Sequence, residues 1–374
     1  MKAITPKQIK NTNRQLIYNL IYKQEKISQQ EISYTLRLSR PTVTANLNEL
    51  EETGLIYKNG QIDSDLIGRK AAAYSIVPDY RIGIGVELSR RVVKIMAVDL
   101  YGMKIDRIVV ECRYADSEEY YRYITSRINE FIDGLQVKKE QILGVGIAVQ
   151  GLVSPDHTHI VYGKILDCTG LEIEAFSRYL DYPCSFIHDA KSAATCERWF
   201  SPELTDAFYL HLSYHFGAAV IQNGEVVNGK HGHNSTVEHI TLDADGPLCY
   251  CGKRGCAETF CSLRALLQGE EEEDFFRAYE AGDPEKLARW QSMLDHLADL
   301  ITSLHLVYDT DFILSGYLAD HITEKDFQYL YKRIREQTPF EEEEDFLKLG
   351  KMPKHSITVG AALPYIRRFL DVLE

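Results

Sequence analysis

The sequence lacks any apolar stretch that approaches the roughly 18 residues of a membrane span. Its first ten residues, MKAITPKQIK, also lack the apolar core of a secretory signal peptide. We therefore expect a cytoplasmic protein with no membrane partner. Because thiols stay reduced in the cytoplasm, the eight cysteines require an explanation other than disulfide bonds.

The chain is short of basic residues, with 42 Lys and Arg against 55 Asp and Glu and a net charge of −13 over 374 residues. That total argues against a nucleic-acid partner. The charge is uneven, however. Residues 1–78 carry 11 basic and 7 acidic side chains, a net of +4, and residues 79–374 carry 31 and 48, a net of −17. Such asymmetry suits a nucleic-acid-binding unit joined to an acidic body, and the length allows two or three domains.

The N-terminal segment has the pattern of three short helices. Apolar residues recur at helical spacing in residues 13–24. A second helix is predicted to begin after Ser28, which forms a capping-box pattern with Glu31. A third is predicted to begin after Ser39 and to end at Gly54. Three helices with a tight link between the second and third indicate a helix-turn-helix.

The segment that follows, residues 55–77, has the pattern of strand, turn and strand, which predicts the wing of a winged helix. In such a unit the third helix enters the major groove and the wing reaches the DNA backbone or minor groove. An alternative is a helical adaptor that binds protein. The predicted DNA-binding side chains are those on the solvent side of the third helix and at the wing: Ser39, Arg40, Thr42, Thr44, Asn46, Asn48, Gly68, Arg69 and Lys70.

From residue 80 onward, the pattern becomes mixed α/β. Three strands in a meander precede a helix around residues 117–134, and further strands and helices alternate up to a long helical region at about 262–306. This order predicts two lobes with a ligand cleft between them. We place lobe one at about 79–187 plus the C-terminal helix, and lobe two at about 188–358.

Four potential metal ligands follow the pattern H-x9-C-x-C-x4-C: His239, Cys249, Cys251 and Cys256. One imidazole and three thiolates form a closed tetrahedral set for structural zinc, and clustered Cys and His in a reducing compartment favour metal. His231 and His233 are rival ligands, and four unconnected residues with reduced thiols are the alternative. The remaining cysteines are expected to be ordinary buried thiols: Cys112, Cys168, Cys184, Cys196 and Cys261.

The zinc segment HITLDADGPLCYCGKRGCAET resembles the signature of the ROK family, which comprises repressors, open reading frames and kinases. The resemblance spans nearly the whole chain and is greatest to the xylose and N-acetylglucosamine repressor branch. It implies a winged helix-turn-helix domain at 1–78 and an actin-like, sugar-kinase-type sensor domain at 79–374. Family kinases phosphorylate hexoses with ATP and magnesium, whereas family repressors bind operators as oligomers and release them on sensing a sugar or phosphosugar.

The resemblance also shows what has been lost from the kinase machinery. Where the kinases carry the phosphate loop D-x-G-G-T, residues 87–91 are ELSRR, and their second loop, G-T-G-x-G-G-G, is matched by SYHFGAA at 213–219. Glycines allow the backbone to approach a phosphate closely. We therefore expect no enzyme activity, because phosphoryl transfer depends on positioning. A sugar kinase with an appended DNA-binding domain is the alternative.

The sugar site implied by the resemblance is partly retained. Asp189 stands at the vestigial position of the kinase base, while His188 and Thr236 replace an asparagine and a glutamate of the family pattern. Carboxylates at such positions accept hydrogen bonds from sugar hydroxyls. The predicted effector contacts are His188, Asp189, Thr236, His239, Glu258, Gln150 and Gly151.

Together, these observations predict a transcriptional repressor of carbohydrate-metabolism genes. We expect structural zinc as its metal, double-stranded operator DNA and a sugar or phosphosugar as its partners, and a homodimer or homotetramer as its assembly. A protein-responsive regulator with a vestigial sugar cleft is a further alternative.

Overall fold

The computed structural model describes residues 5–62, 71–340, 346–352 and 354–373. The N-terminal unit contains three helices, α1 (Pro6–Gln24), α2 (Gln29–Leu36) and α3 (Arg40–Glu52). Its three strands are β1 (Ile27–Ser28), β2 (Ile56–Ile62) and β3 (Ala71–Ile76), which form an antiparallel sheet in the order β1-β3-β2. The arrangement is a winged helix-turn-helix, as the sequence predicted.

Local hydrogen bonds fix the helix boundaries in this unit. Ser28 and Glu31 form the predicted capping box, in which the Glu31 carboxylate accepts from the Ser28 amide at 2.8 Å. Ser39 accepts from the amide of Thr42 and thereby begins α3. These caps satisfy amides that the first turn leaves without partners.

The first five-stranded sheet follows the winged helix. Its first three strands, β4 (Ile82–Leu88), β5 (Val92–Val98) and β6 (Lys104–Glu111), form the predicted antiparallel meander. Helix α4 (Glu118–Gly134), β7 (Ile142–Val149), the short hairpin β8 (Leu152–Val153) and β9 (Ile160–Tyr162), α5 (Glu174–Ser177) and β10 (Cys184–His188) come next. The strand order is β10-β7-β4-β5-β6, with β7 parallel to both β4 and β10.

The second five-stranded sheet has the order β13-β12-β11-β14-β15. Helix α6 (Asp189–Phe200) leads into its first three strands, β11 (Ala207–Leu212), β12 (Phe216–Gln222) and β13 (Glu225–Val226). The remaining elements are α7 (Glu258–Cys261), α8 (Leu263–Leu267), α9 (Glu272–Glu280), α10 (Pro284–His305), β14 (Asp311–Ser315), α11 (Glu324–Gln337), β15 (Leu347–Leu349) and α12 (Ser356–Asp371). Among the described helices, none is long and apolar enough to cross a bilayer.

The predicted long helical region at about 262–306 consists of three separate helices, α8, α9 and α10. Gln268 ends α8 in the left-handed conformation. Asp283 then begins α10, and its carboxylate accepts from the amides of Glu285 and Lys286. Because the apolar periodicity continues across these breaks, the sequence pattern predicted one long helical region instead of three helices.

Helix α12 is packed between the first sheet and α6 at backbone contact distance. A Cβ placed on Gly146 of β7 would lie 1.8 Å from the carbonyl oxygen of Ala361, and one on Gly360 would lie 1.8 Å from that of Ser192 in α6. On the other side of the contact, the Ser192 hydroxyl donates to the carbonyl of Ile357 at 2.6 Å. Only residues without a side chain allow α12 to approach both neighbours in this way.

The same helix anchors the winged helix. Ile17 and Ile21 of α1 share one apolar cluster with Ile366 and Leu370 of α12. Next to this cluster, the Gln15 amide donates to the carbonyl of Leu370 at 2.5 Å. The winged helix is therefore docked on the body through buried apolar surface rather than attached by a linker alone.

We predict that Gly146→Ala destabilises the protein, because the added methyl group would overlap the backbone of α12. Overpacking of this kind typically costs about 1–3 kcal/mol, so the thermal midpoint should fall by several degrees in differential scanning fluorimetry. Gly134→Ala is the matched control, since a Cβ there meets no atom within 4 Å. Equal midpoints for the two variants would contradict the close contact.

Candidate functional site

The exposed face of α3 is the candidate DNA-binding surface. Arg40, Thr44 and Asn48 are exposed, as predicted. Ser39 is also exposed, but its hydroxyl caps the helix by accepting from the amide of Thr42. The Gln29 amide donates to the Thr44 hydroxyl at 2.6 Å, which fixes the position of that side chain.

Asn46 does not lie on this face, and the prediction that it faces solvent is wrong. Its exposed fraction is 3%, and its side-chain amide donates to the carbonyl of Thr42 at 2.8 Å. Asn46 is three residues from Val43 and four from Leu50, so it occupies the buried stripe of the helix. The predicted wing residues Gly68, Arg69 and Lys70 lie outside the described residues.

The candidate metal centre contains the four residues predicted from spacing. The ligand atoms of His239, Cys249, Cys251 and Cys256 all lie within 4.8 Å of one another. The sulfurs of Cys251 and Cys256 are 3.7 Å apart, and Nδ1 of His239 is 3.8 Å from the sulfur of Cys249. A tetrahedral zinc site with Zn–S bonds of about 2.3 Å requires edges of about 3.8 Å. The donor set therefore fits a four-coordinate metal with no open position.

Backbone hydrogen bonds hold the metal-binding segment in shape. The amide of Cys249 donates to the carbonyl of Lys253 at 2.8 Å, and the amide of Gly252 donates to that of Cys249 at 2.9 Å. Among the described residues, no metal-binding group includes the rival ligands His231 and His233.

The candidate effector cavity lies beside this metal centre, at the N-terminal end of α6. Asp189 is the first residue of α6, and its carboxylate accepts from the next amide in the chain at 2.7 Å. His239 contributes to both sites, because it also lines the cavity. Of the predicted contacts, the cavity wall includes Gln150, Gly151, His188, Asp189 and His239.

Two predicted contacts do not line the effector cavity. The Thr236 hydroxyl donates instead to the carbonyl of His233 at 3.1 Å. Glu258 is 1% exposed, and its two oxygens accept from Nδ1 of His215 and from the amide of Phe216, each at 2.7 Å. Glu258 therefore supports the β11–β12 turn, and it lines an adjoining cavity that shares Gln150 and His215 with the effector cavity.

Sequence reasoning missed several cavity residues, among them His211, His215 and Glu238. Glu238 is 6% exposed, and its Oε2 has no hydrogen-bond partner among the described residues. The sequence did contain a signal for Glu238. This carboxylate is next to His239 and two residues after Thr236, where the family pattern has a glutamate. The cavity thus retains a second carboxyl group, supplied from a different position.

Burial determines the protonation of the cavity residues. It raises the pKa of Asp189 to about 7 and that of Glu238 to about 8. Burial also lowers the pKa of His188 to about 3 and that of His211 to about 4, so both rings are neutral at pH 7. Neutral imidazoles and carboxyl groups offer donors and acceptors together, which suits a ligand rich in hydroxyl groups.

Residues 87–91, where the family kinases carry their first phosphate loop, bond to other parts of the protein. The carboxylate of Glu87 accepts from the Lys94 ammonium at 2.8 Å and from the Thr358 hydroxyl at 3.1 Å. Arg90 donates to the carbonyl of Ile165 at 2.5 Å. Both side chains therefore make their hydrogen bonds within the protein.

Family models match both the winged helix and the body of the chain. The ROK family model matches residues 84–362, and a model for winged helix-turn-helix DNA-binding matches residues 10–57. The resemblance inferred from the zinc segment and the predicted fold class are thereby confirmed.

Two relatives extend the comparison. The DNA-binding transcriptional dual regulator NagC of Escherichia coli K12 is 30% identical over 270 residues, which cover 70% of this chain and 64% of NagC. The matched region therefore spans just under two thirds of that relative. The xylose repressor of Bacillus spizizenii is 26% identical over 310 residues, covering 79% of this chain and 74% of the repressor.

Solved structures share the fold. A ROK family transcriptional regulator, a homologue of the Escherichia coli MLC protein, superposes with a TM-score of 0.77 at 21% identity and covers 98% of both chains. A ROK family glucokinase from Streptomyces griseus, in complex with glucose and AMPPNP, superposes with a TM-score of 0.65 at 20% identity, covering 76% of this chain and 98% of the kinase.

We predict that Asp189→Asn stabilises the protein more at pH 8 than at pH 5. The folded-state pKa of about 7 lies above the ordinary 3.8, so the cost of the buried charge is fully present above pH 7 and disappears as the pH falls to about 4. The slope between these values is at most about 1.4 kcal/mol per pH unit. Denaturant unfolding of the parent and the variant at pH 5 and pH 8 measures the difference in their free energies of unfolding.

Asp181→Asn is the control, because that carboxylate is 79% exposed and pairs with Lys139 at the surface. A pH-independent effect of Asp189→Asn would show that the Asp189 carboxyl group titrates normally.

Proposed function

Because the chain belongs to the ROK family and carries a winged helix, we propose that it is a DNA-binding transcriptional repressor of carbohydrate-metabolism genes. Its cavity at the start of α6 would bind a sugar or phosphosugar effector that releases the operator. The observation that carries this proposal is the unbroken path of contacts from that cavity to the winged helix. The names of the relatives and the fit to the winged-helix model support the same conclusion.

The path of contacts runs along α6. Asp189 at its first position lines the effector cavity, and Trp199 near its end donates to the carbonyl of Tyr101 at 2.8 Å. The ring of Tyr101 stacks on Tyr22 of α1 with centroids 4.9 Å apart. An effector that favours one position of α6 would therefore favour one position of the winged helix. Such a ligand shifts operator affinity by its differential affinity for the two arrangements.

The contacts of Glu87 argue against a kinase. In the family pattern this position opens the first phosphate loop, yet here its carboxylate is committed to Lys94 and Thr358. Ser89 and Arg90 occupy the positions of the two loop glycines, and Arg91 occupies that of the threonine. A second candidate function, a regulator switched by a protein partner, gains weight only if the cavity binds no sugar.

We assign the metal centre to structural zinc, held by His239, Cys249, Cys251 and Cys256. Zinc here would fix the His239 ring, whose Nε2 is 3.9 Å from the Glu238 carboxylate inside the cavity. By fixing the orientation of this ring, zinc would hold the cavity wall in place.

The proposed division of labour places operator binding in residues 1–78 and effector binding in residues 79–374. Direct readout would come from Arg40, Thr44 and Asn48. Two winged helices in a dimer or tetramer would contact half-sites one helical turn, or a multiple of a turn, apart. Such a protein would work in the cytoplasm, where the operator is.

We predict that the purified protein contains about one zinc ion per chain, as measured by atomic emission. Cys251→Ser should reduce this content at least tenfold and lower the thermal midpoint, since metal binding contributes to folding. Cys112→Ser is the control, because Cys112 lies outside the cluster. Equal zinc content in both variants would exclude the proposed ligand set.

We predict that the protein binds DNA fragments from its own promoter region at low salt and that Arg40→Ala weakens this binding by about 1–3 kcal/mol, or roughly 5- to 150-fold. Fluorescence anisotropy across a salt series measures both the affinity and its salt dependence. Lys139→Ala is the matched control, because Lys139 is an exposed cation on the body.

The same assay tests the effector. A sugar or phosphosugar from a panel should release the DNA, and Asp189→Ala should abolish the release without weakening DNA binding. The absence of any binding to promoter fragments would refute the repressor proposal. Sugar-dependent ADP formation that Asp189→Ala removes would instead identify a kinase.

A further inference from the structure

A second cavity lies on α6, separate from the effector cavity, and we propose that it binds a small organic anion with an apolar body. Its volume is about 480 Å³, within the range of small-molecule sites. None of its lining residues lines the effector cavity. Its walls come from α6, β10, β13 and α12, together with Tyr22 of the winged helix.

The chemistry of the site rests first on Lys191. This side chain is 5% exposed and lines the cavity. Its ammonium group donates to the amide oxygens of Asn234 at 2.8 Å and Asn228 at 3.4 Å, and it forms no ion pair with the described residues. An ammonium group has three donors, so one remains for a ligand. A buried cation without a charged partner is costly, and a bound anion would supply that partner.

Arg198 adds a second cation on the same side of α6. It lies two helical turns from Lys191, about 10 Å along the axis, and also lines the cavity. Its Nε is buried and has no hydrogen-bond partner among the described residues.

The two acidic side chains of the cavity share one cation. Glu225 forms an ion pair with Arg367, and Asp371 lies 3.9 Å from the same guanidinium group. With Lys191 and Arg198, the wall carries three cations against two carboxylates, so its net charge is positive.

Apolar side chains form the rest of the cavity wall and favour a ligand with an apolar body. Phe186, Trp199, Leu363 and Pro364 line it alongside the two cations. An inorganic ion would leave this surface unfilled, whereas an aromatic or branched acid would cover it and place its charged group at Lys191. Because Tyr22 of α1 forms part of the wall, an occupied cavity would contact the DNA-binding unit directly.

The test is a fluorescence titration of the full chain, since Trp199 lines the cavity and is one of two tryptophans. The probes are benzoate, phenyl phosphate, inorganic phosphate and the neutral analogue benzamide. We expect saturable binding of benzoate or phenyl phosphate, with benzamide and inorganic phosphate at least tenfold weaker. The tighter of the two aromatic anions identifies the charged group as carboxylate or phosphate.

Variants connect the signal to the site. Lys191→Met should weaken aromatic anion binding at least tenfold, while Lys191→Arg should retain it within about threefold and Lys139→Met should leave it unchanged. Calorimetry repeats the measurement without relying on tryptophan. The proposal fails if no probe saturates by 10 mM, if benzamide binds as tightly as benzoate, or if Lys191→Met binds like the parent. No DNA or sugar enters this test, so its outcome is independent of the repressor proposal.

Discussion

The contact between α12 and its two neighbours is the constraint on which the rest of the molecule depends. Gly146 allows α12 to touch the first sheet, and Gly360 allows it to touch α6. Backbones in direct contact cannot slide past one another as side chains can, so the sheet, α12 and α6 can move relative to one another only by small tilts. The winged helix docks on α12 and the effector cavity begins at α6, so the geometry of both regions depends on this contact.

The cavity illustrates how such stiffness is used. Asp189 and Glu238 are carboxyl groups whose ionisation is opposed by burial, and they stay in place because the surrounding elements are fixed. Polar groups without partners are expensive inside a protein. Glu238 and His188 each have a buried atom with no hydrogen-bond partner among the described residues, so both reduce stability unless a polar ligand pairs with them.

The sequence predicted those features that depend on neighbouring residues along the chain. The caps at Ser28 and Ser39, the meander of the first sheet and the four metal-site residues follow from local spacing, and the structure agrees with each. Asn46 was misplaced because polarity was taken as a sign of exposure, although its helical position shares a face with Val43. Glu238 was missed because the family pattern fixes positions in sequence, while the direction of a side chain depends on packing. The cavity at Lys191 could not be predicted, since it is formed by segments far apart in the chain.

Helix α6 also has a mechanical meaning. It contains 12 residues and is therefore about 18 Å long, with Asp189 at one end and the Trp199–Tyr101 hydrogen bond at the other. A tilt of about 5° about the Asp189 end would move the far end by about 1.6 Å for a rod of this length. That displacement exceeds what a hydrogen bond tolerates, so a small change at the effector cavity would break or re-form a contact beside the winged helix. Under the proposed function, α6 would act as a lever that converts a small angle into a discrete change of contacts.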